Sequence, residues 1–307
     1  MKKQNLHTTI MHNEKKIIEN PQGKSILHLT YASPLGKVMR WVLTGKLISK
    51  LGGMLTRSRM SRYAIAPFVK KHAINLDDFQ IPTTGFHSFN DFFIRTIKPK
   101  CRPIATEPDA LISPCDSKLY VIPTLTQESI FFVKALPFSL ATFLGPTHNA
   151  SPYTHGTLAI FRLSPNDYHW FHMPAPGTPR PATLIPGRLH SVNPLVYKKN
   201  IQPLITNQRI VIPIDLDNGT SVMMVAVGAL MVGSITTTYQ PNTPVPTGSP
   251  LGYFAFGGST IALLFPHNTI RINEELCATS NQGIETVVQM GQKVGSLYAP
   301  TTKKEYL

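Results

Sequence analysis

The sequence is short of cysteine, of acidic residues at its N-terminal end, and of long apolar runs. Its three cysteines, Cys101, Cys115 and Cys277, show neither metal-site nor redox-pair spacing. That pattern indicates a reducing compartment and not a disulfide-stabilised secreted protein. Within residues 25–75, no uncharged apolar run approaches the roughly eighteen residues of a membrane-spanning helix. No apolar core follows the basic first residues, so we expect no signal peptide.

Acidic residues are scarcest where basic residues are most frequent. Residues 1–75 carry fourteen Lys and Arg against Glu14 and Glu19, a formal charge of +12 out of the net +14. Such a segment points to a phosphate-bearing partner, either a membrane surface or nucleic acid. Aromatic residues are not interleaved with the basic ones as a base-stacking surface requires, so we expect no nucleic-acid partner.

Composition divides the N-terminal part into two segments. Residues 1–24 are polar and predict a loose tail, and residues 25–105 predict a helical, membrane-associating segment. Within residues 25–75, short apolar groups alternate with single basic residues, which is typical of amphipathic helices. These helices either pack on the protein's own body or lie in a membrane interface, with Trp41 and Phe68 at the boundary. Residues 88–95 predict a capped short helix with an aromatic core face.

The remainder, residues 106–307, has the pattern of a β-rich domain. Apolar or alternating runs are separated by Pro, Gly and Asn, and Asp-Asn-Gly at residues 217–219 is a strong hairpin signal. No βαβ alternation is present, which disfavours a doubly wound sheet. The predicted class is therefore α+β, with an N-terminal amphipathic helical segment followed by a β-rich domain. The predicted β runs lie at residues 131–133, 158–163, 210–214, 221–227, 231–239 and 253–265.

Inside the last run, Gly257 and Gly258 precede Ser259. Two glycines weaken a strand interior, and their ordinary use there is a bulge or a close approach of two chains. They also permit different chemistry, because a flexible Gly258 lets the Ser259 hydroxyl reach the carbonyl carbon of its own preceding peptide bond. With a base and oxyanion donors, this attack converts the amide into an ester. β-Elimination then cuts the chain after Gly258 and leaves dehydroalanine, which hydrolyses to a pyruvoyl group.

Two other stretches carry groups suited to catalysis. His169 and His172 are three residues apart, so they face opposite sides of a strand but converge on a turn. They lack the partners of a zinc site, and we expect no metal. Asp116 lies in a proline-containing turn, where an aspartate is more often a turn former than a catalytic group.

Three motifs, in order, resemble those of the phosphatidylserine decarboxylases, which are pyruvoyl enzymes. Phe-Gly-Gly-Ser-Thr at residues 256–260, followed by an apolar run and Phe-Pro, is similar to that family's self-cleavage site. Residues 167–174 resemble its Asp-Tyr-His-x-x-His-x-Pro, and residues 113–117 resemble its Ser-Pro-x-Asp-Gly. The resemblance extends over about residues 25–297.

The resemblance implies a role for each residue. His172 is the base that deprotonates Ser259, and Asp116 orients His172 and stabilises its cation. His169 lines the substrate pocket and assists decarboxylation. Cleavage between Gly258 and Ser259 leaves a large and a small chain that stay together, and Ser259 becomes the pyruvoyl cofactor.

The same resemblance implies a lyase of phospholipid biosynthesis. The pyruvoyl group would form a Schiff base with phosphatidylserine and release carbon dioxide, leaving phosphatidylethanolamine. The partners would be phosphatidylserine and a phospholipid membrane, with the enzyme peripheral on the cytoplasmic side of the cell membrane. A homodimer is left open. This sequence departs from the family at Trp170 (commonly Arg), Ser117 (usually Gly), and Thr247 and Ser249 (usually charged).

Three other functions remain open from the sequence. A serine hydrolase using Ser259 and His172 would stay uncut and react with fluorophosphonates. A non-catalytic protein that binds anionic membranes would release no carbon dioxide. A pyruvoyl decarboxylase of soluble amino acids would cleave itself but ignore vesicles.

Overall fold

The structure, a computed structural model, describes residues 8–13, 15–19, 30–31, 36, 44–126, 139–193, 196, 202–230 and 234–298. The predicted strand at residues 131–133, the first residues of the run at 231–239, and Trp41 lie outside the described residues. Helices and strands are both abundant, and the fold is α+β as the sequence predicts.

Three of the described α-helices lie in the N-terminal part, and three more lie between the strands of the β-rich part. The described α-helices are α1 (Lys46–Arg57), α2 (Ile65–His72), α3 (Phe89–Phe93), α4 (Leu140–Leu144), α5 (Pro203–Thr206) and α6 (Glu274–Asn281). Short 3₁₀ segments lie at Arg59–Ala64, Leu76–Asp78, Pro99–Cys101 and Ser151–Tyr153.

The strands form one large sheet and two small ones. They are β1 (Thr8–His12), β2 (Lys15–Glu19), β3 (Ala110–Ile112), β4 (Ser117–Ile122), β5 (Thr157–Leu163), β6 (Trp170–His172), β7 (Gly177–Pro179), β8 (Thr183–Ile185), β9 (Arg209–Leu216), β10 (Ser221–Gly228), β11 (Ile235–Thr237), β12 (Pro250–Phe254), β13 (Ser259–Phe265), β14 (Ile270–Ile272), β15 (Glu285–Val288) and β16 (Lys293–Leu297). The large sheet has the order β2-β1-β15-β4-β5-β13-β10-β9-β7, with β8 also pairing with β9. The small sheets are β11-β12-β6 and β14-β16-β3.

The centre of the large sheet is buried on both faces. Every residue of β13 is buried, and successive side chains enter different core clusters: Ile261 and Leu263 face one, Ala262 and Leu264 the other. Side chains of the two small sheets, including Phe171 and Phe254, complete the first cluster, and α4 contributes to the second. The N-terminal residue of β13 is therefore held on a rigid element.

Two local predictions are confirmed. Ser88 caps α3 by accepting a hydrogen bond from the Asp91 amide at 3.1 Å, and the aromatic side chains of α3 are buried. The predicted turn at residues 217–219 joins β9 and β10, and Gly219 adopts a positive φ of 82° there. In both cases the signal is local, because a cap or a tight turn is specified by a few consecutive residues.

The prediction of a loose tail at residues 1–24 is wrong for its central part. Strands β1 and β2 pair with each other, and β1 adds in parallel to β15. Ile10 is buried by this pairing. A polar strand at a sheet edge needs only one buried apolar residue, so composition alone does not show it.

The N-terminal helices pack on the body of the protein through an aromatic cluster. Phe68 of α2 lies against Phe89 and Phe92, with ring centroids 5.2 and 6.1 Å apart. Phe68 is half-buried and packs against this cluster, and its place at a membrane boundary stays a prediction. No helix in the described ranges has both the length and the hydropathy needed to cross a bilayer.

Candidate active site

Ser259 is the first residue of β13 and is fully buried. It pairs with Leu163 of β5 on one side and Gly228 of β10 on the other. The run at 253–265, which we expected to be one apolar β segment, is instead two strands separated by residues 255–258. Gly257 and Gly258 therefore lie just before β13, in a segment that belongs to neither strand.

The unusual backbone conformation belongs to Gly257 and not to Gly258. Gly257 has φ = 141°, which side-chain-bearing L residues rarely adopt. A Cβ added at Gly258 would meet only the Cγ2 of Val192, at an ordinary 3.6 Å. The conformational freedom that we assigned to Gly258 is therefore supplied by Gly257.

This difference predicts unequal effects of two alanine substitutions. Gly257→Ala should lower the free energy of unfolding by about 1–3 kcal/mol, because alanine is strained at this φ. Gly258→Ala should change it by less than about 1 kcal/mol, because there is room for the methyl group. Urea unfolding of both variants in a Ser259→Ala background measures the difference, and equal stabilities would contradict the assignment.

The Ser259 hydroxyl is paired with an imidazole. Its Oγ lies 3.3 Å from Nδ1 of His169, and His169 Nε2 lies 3.0 Å from the carbonyl oxygen of Ser164. A carbonyl can only accept, so Nε2 carries the proton and donates to Ser164. The lone pair of Nδ1 is therefore free to accept the Ser259 proton, which is the tautomer that a general base needs.

Burial keeps this imidazole neutral. His169 is fully buried, and burial lowers its pKa to about 3, with the positive charges of Arg95 and Lys118 acting in the same direction. The Phe93 ring stacks on the imidazole with centroids 4.0 Å apart. His169 is thus held rigidly beside Ser259 in its neutral form.

His172 is neutral too, but its surroundings differ. Its Nδ1 lies 3.2 Å from the carbonyl oxygen of Pro114, and its Nε2 lies 3.4 Å from the Tyr168 hydroxyl. Burial raises the pKa of Tyr168, so its hydroxyl stays protonated and donates to Nε2. Burial lowers the pKa of His172 to about 4, opposed by the Pro114 carbonyl and the negative charge of Asp116.

Asp116 lies in the turn between β3 and β4, and its carboxylate is strongly hydrogen-bonded. Arg102 donates from Nε to Oδ1 at 2.9 Å and from Nη2 to Oδ2 at 2.7 Å. The Met290 amide donates to Oδ1 at 2.8 Å. Within the described residues, none of the Asp116 bonds goes to His172. The Pro114 carbonyl is the partner of His172 Nδ1, and the negative charge of Asp116 raises the pKa of His172. The role that the resemblance implies for Asp116, to orient His172 and stabilise its cation, stays a prediction.

Comparisons with known proteins agree with the motifs in the sequence. The family model of the phosphatidylserine decarboxylases matches residues 89–296, from α3 to β16. The chain belongs to the phosphatidylserine decarboxylase family. The phosphatidylserine decarboxylase proenzyme of Chlamydia trachomatis serovar L2 is 39% identical over 276 residues, covering 90% of this chain and 92% of the relative. Those of Chlamydia pneumoniae and Clostridium kluyveri are 38% and 39% identical over 283 and 282 residues, covering 92% of this chain and 94% and 95% of the relatives.

The departures from the decarboxylase pattern are accommodated locally. Trp170 donates from Nε1 to the Ile94 carbonyl at 2.8 Å and packs on Tyr253. Ser117 begins β4, and its hydroxyl lies 3.5 Å from the Cys115 carbonyl. The turn holding Thr247 and Ser249 bonds to Met173 through main-chain groups, which do not depend on the side chains at those positions.

Sequence reasoning did not identify Arg102, Phe93 or Tyr168 as part of this decarboxylase-family site. Tyr168 lies between the residues of a motif that we did use, and Arg102 follows a proline-rich turn that we treated as a connection. Their roles depend on tertiary contacts that no spacing reveals. No group of three or more His, Cys, Asp or Glu side chains is arranged for a metal ion in the part of the chain that the structure describes.

Proposed function

We propose that this protein is a phosphatidylserine decarboxylase proenzyme that cuts its own chain between Gly258 and Ser259. The observation that carries the proposal is the buried Ser259 hydroxyl, which is hydrogen-bonded to the neutral imidazole of His169. Ser259 directly follows two glycines in the chain. Membership of the decarboxylase family supports the substrate, phosphatidylserine, and the product, phosphatidylethanolamine.

Self-cleavage needs only the chain's own atoms and one water. The Ser259 Oγ attacks the Gly258 carbonyl carbon, its proton passes to a base, and the amide nitrogen leaves protonated to give an ester. Removal of the Ser259 Cα proton breaks the Cβ–Oγ bond, which frees the Gly258 carboxylate and leaves dehydroalanine. Water then replaces the amino group at Cα of residue 259, which releases ammonia and leaves a pyruvoyl group. The surroundings of Ser259 fit the resulting group, because its buried side chain already faces a hydrogen-bonding imidazole.

Contacts and charges favour different histidines as the base. His169 touches the Ser259 hydroxyl, but Arg95 and Lys118 oppose a positive charge on it. His172 does not contact Ser259 among the described interactions, yet the charge of Asp116 favours its cation. A base must become a cation in the transition state, and the charge of Asp116 favours that cation at His172. We propose His172 as the base, in keeping with the family motif, with Asp116 stabilising its cation.

His169 then has a separate role in decarboxylation. A pyruvoyl carbonyl supplies an electrophile for the substrate amine and takes up the electron pair that departing carbon dioxide leaves. His169 Nδ1 faces the side-chain position of residue 259, where substrate would be held. We propose that it holds the substrate carboxylate or returns a proton to Cα. The neutral state of His169, which burial enforces, suits a group that exchanges a proton with solvent-shielded substrate.

A surface beside the site supports peripheral attachment to the cytoplasmic side of the cell membrane. Met54, Leu55 and Met60 are 62%, 70% and 74% exposed, and Leu51 and Tyr63 lie near them on α1 and the following 3₁₀ segment. We call these five residues the apolar face. Basic side chains on the same two segments are exposed, at Arg57, Arg59 and Arg62. Apolar residues flanked by basic ones are suited to the interface of an anionic membrane.

An apolar cavity lies beside this face and reaches Phe256. It has a volume of about 240 Å³ and is lined by Leu55, Thr56, Ser61, Ala64, Phe89 and Phe256. Phe256 is three residues before Ser259, and its ring packs on Phe93, which in turn stacks on His169. We propose that a lipid approaches His169 from the side of the apolar face.

Charged substitutions on the apolar face should reduce activity on vesicles and leave self-cleavage unchanged. The double variant Met54→Glu, Leu55→Glu should lower kcat/KM on phosphatidylserine vesicles by at least about tenfold, because two inserted side chains become charged. Self-cleavage should be unchanged. Leu184→Glu is the matched control, since Leu184 is 57% exposed but lies on β8. Equal losses of kcat/KM in the double variant and in Leu184→Glu would show that the apolar face has no special role in activity on vesicles.

The enzymatic proposal is tested by carbon dioxide release. The purified protein should release carbon dioxide from phosphatidylserine vesicles and not from free serine, and Ser259→Ala should release none. Borohydride added with substrate should label residues 259–307. Labelling of residues 1–258, or fluorophosphonate labelling of an uncut chain, would favour the other functions.

A further inference from the structure

Asp116 is held between two parts of the protein by bonds that use both of its oxygens. The guanidinium of Arg102 forms a two-pronged contact, and the Met290 amide binds the same carboxylate from the C-terminal part. Arg102 is fixed in turn, because Nη1 donates to the Cys101 carbonyl at 2.7 Å and lies 3.4 Å from Asp78. The carboxylate therefore has one orientation, and Arg102 determines it.

We propose that Arg102 is a positioning residue for self-cleavage, which fixes the Asp116 carboxylate where it stabilises the cation of His172. This inference rests on the proposed cleavage by Ser259. The geometry of the turn carries it, because the Pro114 carbonyl accepts hydrogen bonds from the His172 amide at 2.9 Å and from His172 Nδ1 at 3.2 Å. Asp116 follows two residues later, so its distance from His172 depends on how its side chain is held.

Arg102 contributes the two-point geometry of a charged guanidinium, and not a positive charge alone. A positive charge beside Asp116 by itself opposes the stabilisation of a second cation at His172. A planar guanidinium matches a carboxylate at two points, whereas an ammonium group binds as a point charge. Lysine at this position should therefore preserve the charge and lose the orientation.

A cavity gives small molecules access to this pair. It has a volume of about 220 Å³, and Arg102, Asp116, Asp78 and Tyr168 are among the residues that line it. Removing the Arg102 side chain enlarges this space beside Asp116. Added guanidinium can then bind the carboxylate in place of the missing group. If Arg102 served only folding stability, this binding would not change the cleavage rate of a variant that is already folded.

The experiment follows the disappearance of proenzyme after cell-free synthesis. Arg102→Ala should cleave itself about 10²-fold more slowly than the wild type, since a small displacement of a catalytic group has effects of this size. Millimolar guanidinium should restore at least part of the rate, and urea, which has a similar shape and no charge, should not. Arg180→Ala is the matched control, because Arg180 forms an exposed ion pair with Asp215.

Each outcome decides the inference separately from the proposed function. Wild-type cleavage together with rapid cleavage by Arg102→Ala overturns the inference and leaves self-cleavage standing, as does a slow, folded Arg102→Ala that guanidinium does not rescue. An uncut wild type contradicts the proposed function itself. If Arg102→Ala does not fold by circular dichroism, Arg102→Lys decides: slow cleavage by a folded protein supports the inference, and a wild-type rate overturns it.

Discussion

Replacing His172 by asparagine is expected to slow self-cleavage by about 10²–10⁴-fold, the usual contribution of a general base. Asparagine can still donate to the Pro114 carbonyl in the place of Nδ1, so the turn that carries Asp116 should keep its structure. What disappears is the nitrogen that can take the Ser259 proton. The measurement is the fraction of uncut chain over time by denaturing electrophoresis.

The matched variant is His169→Gln. A glutamine amide can donate to the Ser164 carbonyl in the place of Nε2, but it offers no basic nitrogen to Ser259. We expect this chain to cut itself within about tenfold of the wild-type rate and to lose about 10²-fold or more in decarboxylation. Normal cleavage in His172→Asn with none in His169→Gln would reverse the two roles and show that the resting contact identifies the base.

The second large effect is expected at a buried ion pair whose two residues belong to different chains after cleavage. Arg162 donates from Nε to Glu285 at 2.9 Å, and these residues are 6% and 1% exposed. Arg162→Met should lower the free energy of unfolding by about 3–5 kcal/mol, because it leaves Glu285 as an uncompensated buried charge. Urea unfolding in a Ser259→Ala background measures this in an uncut chain.

The control for this measurement is the exposed pair formed by Arg180 and Asp215, with side chains 47% and 46% exposed. Arg180→Ala should cost no more than about 1 kcal/mol, as surface ion pairs do. In the cleaved protein, Arg162→Met should let the two chains separate at a lower urea concentration. Similar losses in the Arg162 and Arg180 variants would show that the buried pair does not hold the chains together.

Local chemistry made part of this structure predictable from sequence. Ser88 caps a helix, and the turn at 217–219 closes a hairpin, because neighbouring residues alone specify both. The candidate residues Asp116, His169, His172 and Ser259 come from short motifs of the decarboxylase family. The structure brings His169 to Ser259 by direct contact, and Asp116 to the vicinity of His172 through the Pro114 turn.

The partners of those residues could not be predicted, because they come from distant parts of the chain. Asp116 is bonded by Met290 across 174 residues, and His169 meets Ser259 across 90. The pairing of β1 with β15 links the two ends of the chain for the same reason. Hydrophobic periodicity reports burial within one element and carries no information about which element covers it.

The most direct test of self-cleavage is the intact mass of the purified protein under denaturing conditions. Self-cleavage gives two chains, residues 1–258 and 259–307, whose masses sum to that of the uncut chain plus one water less one ammonia. Ser259→Ala should give a single uncut chain. An active wild type with one uncut mass, or a fragment beginning with an ordinary serine, would show that Ser259 does not become a pyruvoyl group by self-cleavage.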